Sequence, residues 1–483
     1  MIYTAHDYQR SAVSWLIDRT ILRDHEGGGL FEDPGLGKTV QTLTWFRALR
    51  MMNRARNALI VAPRLVCETV WGQECAKWEH TADLRVVNIK GTPTQRMSAL
   101  STPADIHLVN SDGIKWVEKQ FYRQRLPWDA LIVDESSLFK TWTSDRTKAL
   151  RRMVPKFRKR LILTGTPSPN CVHDLFAQIF LIDRGRTLYD TQSKFRARWF
   201  HRGGFKSYKW LPNDGAFESI TKRIRPLCLT LSAADHLDLP DLVVNDIWLD
   251  LDDDARQKYR QMEKELFLAL DNGDELTPTN AGARYNACQQ IASGGIYSMS
   301  KSKRKQLADR FGIPPKCIKI RDIPIHQIKA EAAANLISEL QGKPVLVAFN
   351  YGHELRRLRH YFPRMEWIDG DTKGSEAKRI MRNWNEGKLH VFGVQSKAMS
   401  HGANLQYGPG RDVVWLGLPD ELDPYVQLNA RIYRQGVTSQ VRIHRVLIRD
   451  TVEVASVDRI NRKDDNQQAV LQSLKRYRKA MVV

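Results

Sequence analysis

The sequence predicts an α/β protein in which two parallel-sheet domains lie in tandem, with a helical, basic insertion between them. Two observations lead to this fold class. Short apolar runs alternate with helical patterns up to about residue 185, and the same rhythm returns from about residue 326. Continuous aliphatic strands between helices are typical of a parallel sheet covered on both faces. At 483 residues the chain is also too long for one hydrophobic core.

We divide the chain into an N-terminal domain (1–185), a helical insertion and linker (186–325), a C-terminal domain (326–460) and a basic helical tail (461–483). The strands predicted in the first domain are Leu59–Ala62, Ile106–Val109, Leu131–Val133 and Leu161–Leu163. Those predicted in the second domain are Val345–Phe349, Val391–Val394, Val413–Leu416 and Val441–His444.

The composition points to an acidic partner. The formal net charge is +21, from 75 Lys and Arg residues against 54 Asp and Glu residues, and such a surplus favours a polyanion. The six cysteines include no C-x-x-C pair and the histidines show no metal-binding spacing, so we expect free thiols and no transition-metal site. Neither a signal peptide nor an apolar run of membrane length is present, so we expect a cytoplasmic, nucleoid-associated protein.

The segment Asp33–Thr39 has the pattern of a phosphate-binding loop. Gly35 and Gly37 let backbone N–H groups turn inward around a polyphosphate, where a side chain would obstruct. We predict that Lys38 reaches the β- and γ-phosphates and that the Thr39 hydroxyl holds Mg²⁺.

The surroundings of this loop support the prediction. A short strand, Gly29–Phe31, precedes the loop, and apolar residues follow it at helical spacing: Val40, Leu43, Phe46 and Leu49. The loop therefore opens a helix whose N-terminus favours anions. A chance glycine-rich turn is the alternative, because the general pattern has glycine where this chain has Glu32.

An acidic pair follows a strand predicted to be buried. Asp134 and Glu135 come directly after Leu131–Val133, at the sheet edge where ligands bind in α/β proteins. We predict that Asp134 holds Mg²⁺ and that Glu135 polarises a water for in-line attack. The alternative is a strand-end turn with two solvated carboxylates.

Two arginines and a glutamine lie at helical spacing near the end of the second domain. Gln427, Arg431 and Arg434 are spaced i, i+4, i+7, so on a continuous helix they share one face. Asp423 suits the start of this helix and Gly436 its end. Paired guanidinium groups are suited to a γ-phosphate, and we predict that they act as arginine fingers. An exposed helix whose arginines pair with acids is the alternative.

The order of these motifs resembles superfamily 2 helicases and translocases, and most closely their Swi/Snf-like branch, over about residues 3–455. Further blocks carry the resemblance: Tyr8-Gln9 is similar to the adenine-reading Q motif, Leu59–Pro63 to the next block, Leu163–Pro167 to the block that links nucleotide state to domain closure, Leu346–Phe349 to the strand that opens the C-terminal half, Gly402–Gln406 to motif V, and Asp423–Arg434 to motif VI.

The resemblance implies two RecA-like domains, ATP and Mg²⁺ as ligands, and duplex DNA bound along its backbone without base readout. The residues implied for the nucleotide are Gln9, Gly35, Leu36, Gly37, Lys38 and Thr39. Those implied for catalysis are Glu135, Gln427, Arg431 and Arg434, with Thr39 and Asp134 for the metal. ATP binding would close the two domains and hydrolysis would reopen them.

The chain departs from the family in two of these blocks. Ser136-Ser137 stands where the family usually has Ala-His after the acidic pair, and Ala403 replaces the usual motif V glycine. Because Glu135 is retained, we expect hydrolysis to be retained as well. The short insertion and compact build suit a phage or bacterial protein.

An ATP-dependent DNA translocase is our leading interpretation. A strand-separating DNA or RNA helicase is the alternative within the enzyme class, and the motor of a complex whose nuclease lies on another chain is a third. From a different class, a non-catalytic, ATP-gated nucleic-acid clamp would be expected to lack the catalytic acid or the arginines, and this chain has both.

Three basic clusters are candidates for phosphate contacts: Arg146–Arg160, Lys222–Arg225 and Lys301–Lys305. Solvated helix faces are the alternative for each of them. Aromatic residues interleave with basic ones at Trp199, Phe200, Tyr208 and Trp210. For these rings core packing is favoured over stacking on bases.

Overall fold

The computed structural model describes residues 2, 4–168, 170–203, 209–271, 278–298, 322–399 and 404–464. The chain forms two compact units, which meet in the sequence between Leu239 and Pro240. Residues 462–464 group with the first unit and residues 404–461 with the second.

The first unit is built on a seven-stranded sheet in which every pair of neighbours is parallel. Its strand order is β3-β4-β2-β5-β6-β1-β9. The strands are β1 (Gly27–Glu32), β2 (Ala58–Ala62), β3 (Val86–Asn88), β4 (Ile106–Asn110), β5 (Ala130–Asp134), β6 (Lys159–Thr164) and β9 (Cys228–Leu231). A separate antiparallel hairpin consists of β7 (Phe200–Gly203) and β8 (Lys209–Pro212).

Helices cover both faces of this sheet, so that two apolar cores form, one on each side. The helices are α1 (Asp7–Ile17), α2 (Lys38–Met51), α3 (Arg64–Thr69), α4 (Trp71–Lys77), α5 (Pro93–Ser101), α6 (Ile114–Gln120), α7 (Asp145–Met153), α8 (Leu175–Asp183), α9 (Gln192–Trp199) and α10 (Ala216–Ile224). A π-helical turn over Asp18–Leu22 continues α1. The apolar positions predicted on α2 are all buried.

The second unit contains a six-stranded parallel sheet in the order β10-β17-β16-β13-β15-β14. Its strands are β10 (Leu242–Leu249), β13 (Val345–Phe349), β14 (Glu366–Ile368), β15 (Val391–Gln395), β16 (Asp412–Trp415) and β17 (Val441–Ile448). The helices are α11 (Asp253–Asp271), α12 (Pro278–Ala292), α13 (Ile328–Glu339), α14 (Gly352–Tyr361), α15 (Gly374–Asn385), α16 (Ser396–Met399) and α17 (Leu422–Asn429). A short antiparallel pair joins β11 (Gly295–Tyr297) to β12 (Asp322–Pro324).

The prediction of two parallel-sheet α/β domains in tandem is confirmed, and each strand named from the sequence lies within an observed strand or overlaps one. The predicted domain boundaries stay a prediction. Within the predicted insertion, β9 joins the first sheet and β10 the second, so this span supplies an edge strand to each. Both strands are rich in apolar residues, and pairing with an existing sheet stabilises them. Residues 465–483 of the predicted tail lie outside the described part of the chain. No helix of the described residues is long and apolar enough to cross a bilayer.

A buried histidine makes the stability of the second unit sensitive to acid. His353, near the start of α14, is fully buried and stacks on the Tyr351 ring with a centroid distance of 5.2 Å. Burial, with a smaller contribution from the nearby Arg357 guanidinium, lowers its pKa to about 3. The unfolded chain takes up this proton near pH 6.5, whereas the folded chain does so only near pH 3. The free energy of unfolding therefore falls as the pH drops through this window.

We expect His353→Phe to reduce the loss of unfolding free energy between pH 7 and pH 5 by about 2 kcal/mol, because the variant has no imidazole to protonate there. Urea unfolding at the two pH values measures this difference. The matched control is His360→Phe, which changes an exposed histidine on the same helix. An equal pH dependence in wild type and His353→Phe would contradict the prediction.

Candidate nucleotide-binding site

The predicted phosphate loop connects β1 to α2, and its glycines adopt left-handed backbone conformations. The φ angles are 96° at Gly35 and 85° at Gly37, a region that residues with a Cβ rarely adopt. A Cβ on Gly37 would lie 2.5 Å from Nε2 of Gln9. Glycine is therefore required at position 37 both by the backbone and by the close approach of Gln9.

Lys38 begins α2 and turns its ammonium group back onto the loop. Its Nζ donates hydrogen bonds to the carbonyl oxygens of Glu32 at 2.6 Å and Asp33 at 3.2 Å. Burial lowers the pKa of Lys38, while carboxylates that include Asp134 and Glu135 raise it, and burial is the larger effect. The loop lysine and the acidic pair thus share one electrostatic environment.

Glu32, which departs from the general loop pattern, braces the loop from inside the domain. It is fully buried, and its Oε2 accepts a hydrogen bond from Nε2 of Gln41 at 3.0 Å. The same amide nitrogen donates to the Leu36 carbonyl at 2.9 Å. The side chain at position 32 is therefore tied to α2 through Gln41. Sequence reasoning missed this role for Glu32 and Gln41.

Gln9 lies directly against the loop. Its Nε2 donates to the Leu36 carbonyl at 3.1 Å and its Oε1 accepts from the His6 backbone at 3.1 Å. Beside it the Tyr8 ring stacks with His6 and with His236, at centroid distances of 5.4 and 5.1 Å. These contacts place Gln9 beside the loop, and its reading of adenine stays a prediction.

The segment after β9 is a further neighbour of the loop that the sequence analysis missed. Oδ2 of Asp33 accepts a hydrogen bond from the Ala233 backbone at 2.9 Å, and the Asp33 backbone donates to Leu231 at 3.1 Å. The same segment carries His236, which stacks on Tyr8. Residues 231–236 therefore contact both the loop and the Q-motif helix, a few residues before the first unit ends at Leu239.

The acidic pair ends β5, whose neighbours in the sheet are β2 and β6. Oδ2 of Asp134 accepts a hydrogen bond from Nε1 of Trp71 at 2.9 Å. Glu135 is buried and has a left-handed φ of 60°. Its Oε1 accepts hydrogen bonds from the hydroxyls of Ser137 at 2.8 Å and Thr164 at 2.7 Å. The predicted water-polarising acid is therefore held by two neutral donors.

Besides the hydrogen bond from Thr164 to Glu135, further hydrogen bonds connect the region of the acidic pair to the block Leu163–Pro167. The Thr166 backbone donates to the Thr164 hydroxyl at 3.0 Å. Gln178 on α8 accepts a hydrogen bond from the Ser136 hydroxyl at 2.7 Å and donates to the Pro167 carbonyl at 2.6 Å. Ser136 and Ser137 replace the usual Ala-His. Ser136 is linked to this block through Gln178, and Ser137 is linked to it through Glu135, which also accepts from Thr164.

The predicted arginine helix is shorter than the spacing suggested. Helix α17 ends at Asn429, and Arg431 and Arg434 lie in the turns that follow it. The prediction that Gln427, Arg431 and Arg434 share one helical face is therefore wrong for Arg434. After Asn429 the backbone tightens into turns, in which the N–H of Arg431 donates to the Leu428 carbonyl and that of Ile432 to the Asn429 carbonyl. The Asn429 side chain is fixed separately, since its Oδ1 accepts a hydrogen bond from Nε1 of Trp415 at 3.0 Å.

The two arginines have different partners in the second unit. Nη2 of Arg431 donates to Oε1 of Gln427 at 3.3 Å, as expected for positions i and i+4. Nη1 of Arg434 donates to Oδ1 of Asn404 at 2.7 Å, which joins it to the motif V segment. The preceding motif V residues, Gly402 and Ala403, lie outside the described part of the chain.

Most of the basic cluster 146–160 is engaged within the first unit. Arg152 forms a bidentate pair with Glu118, and the Lys156 ammonium donates to three backbone carbonyls. Lys159 pairs with Asp24 at 2.7 Å, and the buried Arg160 pairs with Glu26. These four residues are therefore engaged by groups of the first unit itself. The alternative of a solvated helix face does not describe Lys159 and Arg160, which are buried on β6. The cluster Lys301–Lys305 lies outside the described residues.

A basic cleft that the sequence analysis did not identify lies at the carboxyl edge of the first sheet. It has a volume of about 660 Å³ and is bordered by the residues that follow β2, β3 and β4. Its basic side chains are Arg64, Lys90 and Arg96, and Glu68 in the same lining pairs with Arg64 at 3.4 Å. These residues are separate in sequence, so no charge run indicated the cleft.

Two known families match successive parts of the chain. Residues 8–292 match the family described as "SNF2-related domain", and residues 328–436 match the "Helicase conserved C-terminal domain". "Putative protein p41" of Acyrthosiphon pisum secondary endosymbiont phage 1 is 31% identical over 98% of this chain and 99% of its own length.

More distant relatives are larger proteins. "Transcription regulatory protein SNF2" of Saccharomyces cerevisiae is 26% identical over 97% of this chain, which spans 28% of that protein. "Chromatin structure-remodeling complex subunit snf21" of Schizosaccharomyces pombe is 24% identical over 97% of this chain, which spans 39% of that protein. A structure titled "Sulfolobus solfataricus SWI2/SNF2 ATPase core in complex with dsDNA" is 20% identical, covers 98% of this chain and 97% of its own, and gives a TM-score of 0.44.

We expect Gly37→Ala to weaken ATP binding at least about tenfold, because the new methyl group would displace the Gln9 amide from the loop. Titration with a fluorescent ATP analogue measures the affinity. Gly215→Ala is the matched control, since Gly215 also has a positive φ, of 71°, but its Cβ would meet nothing within 4 Å. Equal affinities in the two variants would show that the contact with Gln9 is unimportant.

Proposed function

Because the chain belongs to the SNF2-related family of ATPases, we propose that it is a DNA translocase that hydrolyses ATP when nucleic acid binds. It would move along the DNA backbone by opening and closing its two RecA-like domains. The family membership rests on a match that covers more than half of the chain.

One observation supports hydrolysis most directly: the loop lysine and the acidic pair act on one another electrostatically. The carboxylates of Glu32, Glu135 and Asp134 all raise the pKa of Lys38 against the effect of its burial. The strands that lead into the loop and into the acidic pair, β1 and β5, are separated in the sheet only by β6. A cation for the terminal phosphates and an acid for the attacking water must lie near one another if they are to act on the same bond. Non-catalytic nucleotide clamps have no need for the acid.

Each residue of the candidate site would have a separate role in ATP binding or hydrolysis. Lys38 would stabilise charge on the β- and γ-phosphates, and Gln9 would read the adenine edge. Glu135, held by Ser137 and Thr164, would accept a proton or hydrogen bond from the water. Thr39 and Asp134 are the residues that would hold Mg²⁺, which neutralises phosphate charge when bound.

The second domain would supply positive charge to the same reaction. We assign this role to Arg431 and Arg434, with Gln427 positioning Arg431 through its hydrogen bond. Asn404 would hold Arg434 in the same way. A guanidinium already oriented by a neutral amide loses little conformational freedom when it meets a phosphate.

Duplex DNA is the partner that the charge distribution favours. The basic cleft offers Arg64, Lys90 and Arg96 at the carboxyl edge of the first sheet, and the whole chain carries a net charge of +21. Contacts of this type bind phosphates without reading bases. We place this activity in the cytoplasm of a bacterium or a phage-infected cell, by analogy with the phage relative.

The decisive experiment is the ATPase rate without polynucleotide and with duplex DNA, single-stranded DNA and RNA. We expect duplex DNA to stimulate most. Glu135→Gln should keep ATP affinity and lower turnover about 100-fold or more, because the amide cannot take a proton from water. Normal turnover in Glu135→Gln would remove the proposed mechanism.

The same proteins separate translocation from unwinding. A translocase displaces the third strand of a triplex and leaves a forked duplex intact, whereas a helicase separates the fork. Triplex displacement that requires ATP hydrolysis is the result we expect.

We expect Arg434→Ala to leave ATP affinity within about twofold of wild type and to lose most of the DNA-stimulated rate, because the guanidinium would act only on the reacting state. Steady-state kinetics with and without duplex DNA measure both quantities. Arg449→Ala is the control, since Arg449 is an exposed arginine of the same unit that pairs with Asp250. Full stimulation in Arg434→Ala would place the phosphate-sensing residue elsewhere.

A further inference from the structure

An arginine–tryptophan–arginine arrangement lies on helix α9 and the β7–β8 hairpin of the first unit. The guanidinium carbons of Arg196 and Arg202 lie 5.1 and 4.4 Å from the centroid of the Trp210 ring. Arg196 comes from α9, and the other two residues face each other as cross-strand partners. Arg196, Arg202 and Trp210 together form a surface that we call the Trp210 platform.

The other aromatic residues of this region have a structural role. Trp199 and Phe200 are buried and belong to the core of the first unit, as does Phe195. Their burial agrees with the core-packing interpretation made from the sequence. Trp210 differs from them because it is only partly buried and carries basic groups, whose charges remain at the surface.

In the Trp210 platform, the guanidinium group of Arg196 is hydrogen-bonded to a histidine. Nε of Arg196 donates to Nε2 of His173 at 3.1 Å. Burial and the Arg196 charge lower the pKa of His173 to about 4, so the ring is neutral at pH 7 and accepts this hydrogen bond. Within the described residues Arg196 makes no ion pair, and the nearby Arg202 charge lowers its pKa in addition to burial.

The local sequence is rich in basic residues. Residues 191–213 contain six Lys and Arg residues and neither Asp nor Glu. The Arg202 charge acts unfavourably on Arg196, and a phosphodiester anion bound at this surface would reduce that repulsion.

The platform is also connected to the candidate hydrolysis site within the first unit. His173 lies in the short turn Val172–Asp174 that leads directly into α8. Gln178 on α8 accepts the Ser136 hydrogen bond and donates to the Pro167 carbonyl. A displacement of Arg196 would therefore reach the acidic pair through one helix and two hydrogen bonds.

We propose that the Trp210 platform binds the phosphodiester backbone of nucleic acid, and that its occupancy is transmitted through His173 and α8 to the acidic pair. This inference rests on the proposed function, because it names a surface through which DNA would stimulate hydrolysis. The platform lies outside the basic cleft, since the two sets have no residue in common. An acidic protein segment is the competing occupant.

The test compares Arg196→Gln/Arg202→Gln with a control that removes the same charge elsewhere. The control is Arg56→Gln/Arg125→Gln, two exposed arginines that precede β2 and β5 and lie outside the three basic clusters. Binding to a fluorescent duplex is followed by anisotropy across salt concentrations. Each lost phosphate contact lowers the salt slope by about 0.9, so the platform variant should lose about 1.8 and bind about tenfold more weakly.

The single variant Arg202→Gln guards against misfolding, because it leaves the Arg196–His173 hydrogen bond in place. It should lose about 0.9 of the salt slope and part of the DNA-stimulated ATPase rate. An unchanged slope in both platform variants, or an equal change in the control, would overturn the inference while wild-type stimulation by DNA still supports the proposed function.

Wild type that neither binds nor responds to DNA would instead overturn the proposed function. In that case poly-glutamate is the second probe. Binding of poly-glutamate by wild type and its loss in the platform variants would overturn the nucleic-acid assignment in favour of an acidic protein partner.

Discussion

The first domain depends on a buried carboxylate that must receive hydrogen bonds at the edge of a parallel sheet. Glu135 is 7% exposed, and its Oε1 accepts from the hydroxyls of Ser137 and Thr164. A buried carboxylate without donors would cost several kcal/mol. The pairing of β5 with β6 brings Thr164 alongside, and a shift of one residue would turn it to the opposite face. The register of β5 on β6 and the hydrogen bonding of this carboxylate are thus one constraint.

The phosphate loop is likewise held by buried hydrogen bonds, which here are donated by neutral side-chain amides. The Leu36 carbonyl accepts hydrogen bonds from two glutamine amides, Gln9 and Gln41, so both flanking helices fix one turn of the loop. The buried carboxylate of Glu32 also supports the loop, because it accepts a hydrogen bond from the Gln41 amide. The departure from the usual glycine therefore changes how the loop is supported and leaves its inner surface formed by backbone.

Charge in the sequence and charge available to a ligand are different quantities in this protein. The densest basic run, 146–160, is largely used to pair Glu118, Asp24 and Glu26 or to cap backbone carbonyls. The basic cleft and the Trp210 platform are assembled from separate segments by the fold. Counting lysines and arginines along the chain therefore does not locate the charge that is available to a ligand.

The sequence by itself determined the two parallel sheets, the loop between β1 and α2, and the acids after β5, because apolar periodicity and glycine spacing are local properties of the chain. Tertiary structure decided what locality cannot encode. Helix α17 ends at Asn429, and the chain continues in turns with backbone hydrogen bonds from Arg431 to Leu428 and from Ile432 to Asn429, although the spacing of Arg431 and Arg434 favours a longer helix. Likewise the sequences of β9 and β10 do not state which sheet each strand joins, and the fold places β9 at the edge of the first sheet and β10 at the edge of the second. Pairing partners arise only when distant segments meet, so local sequence cannot specify them.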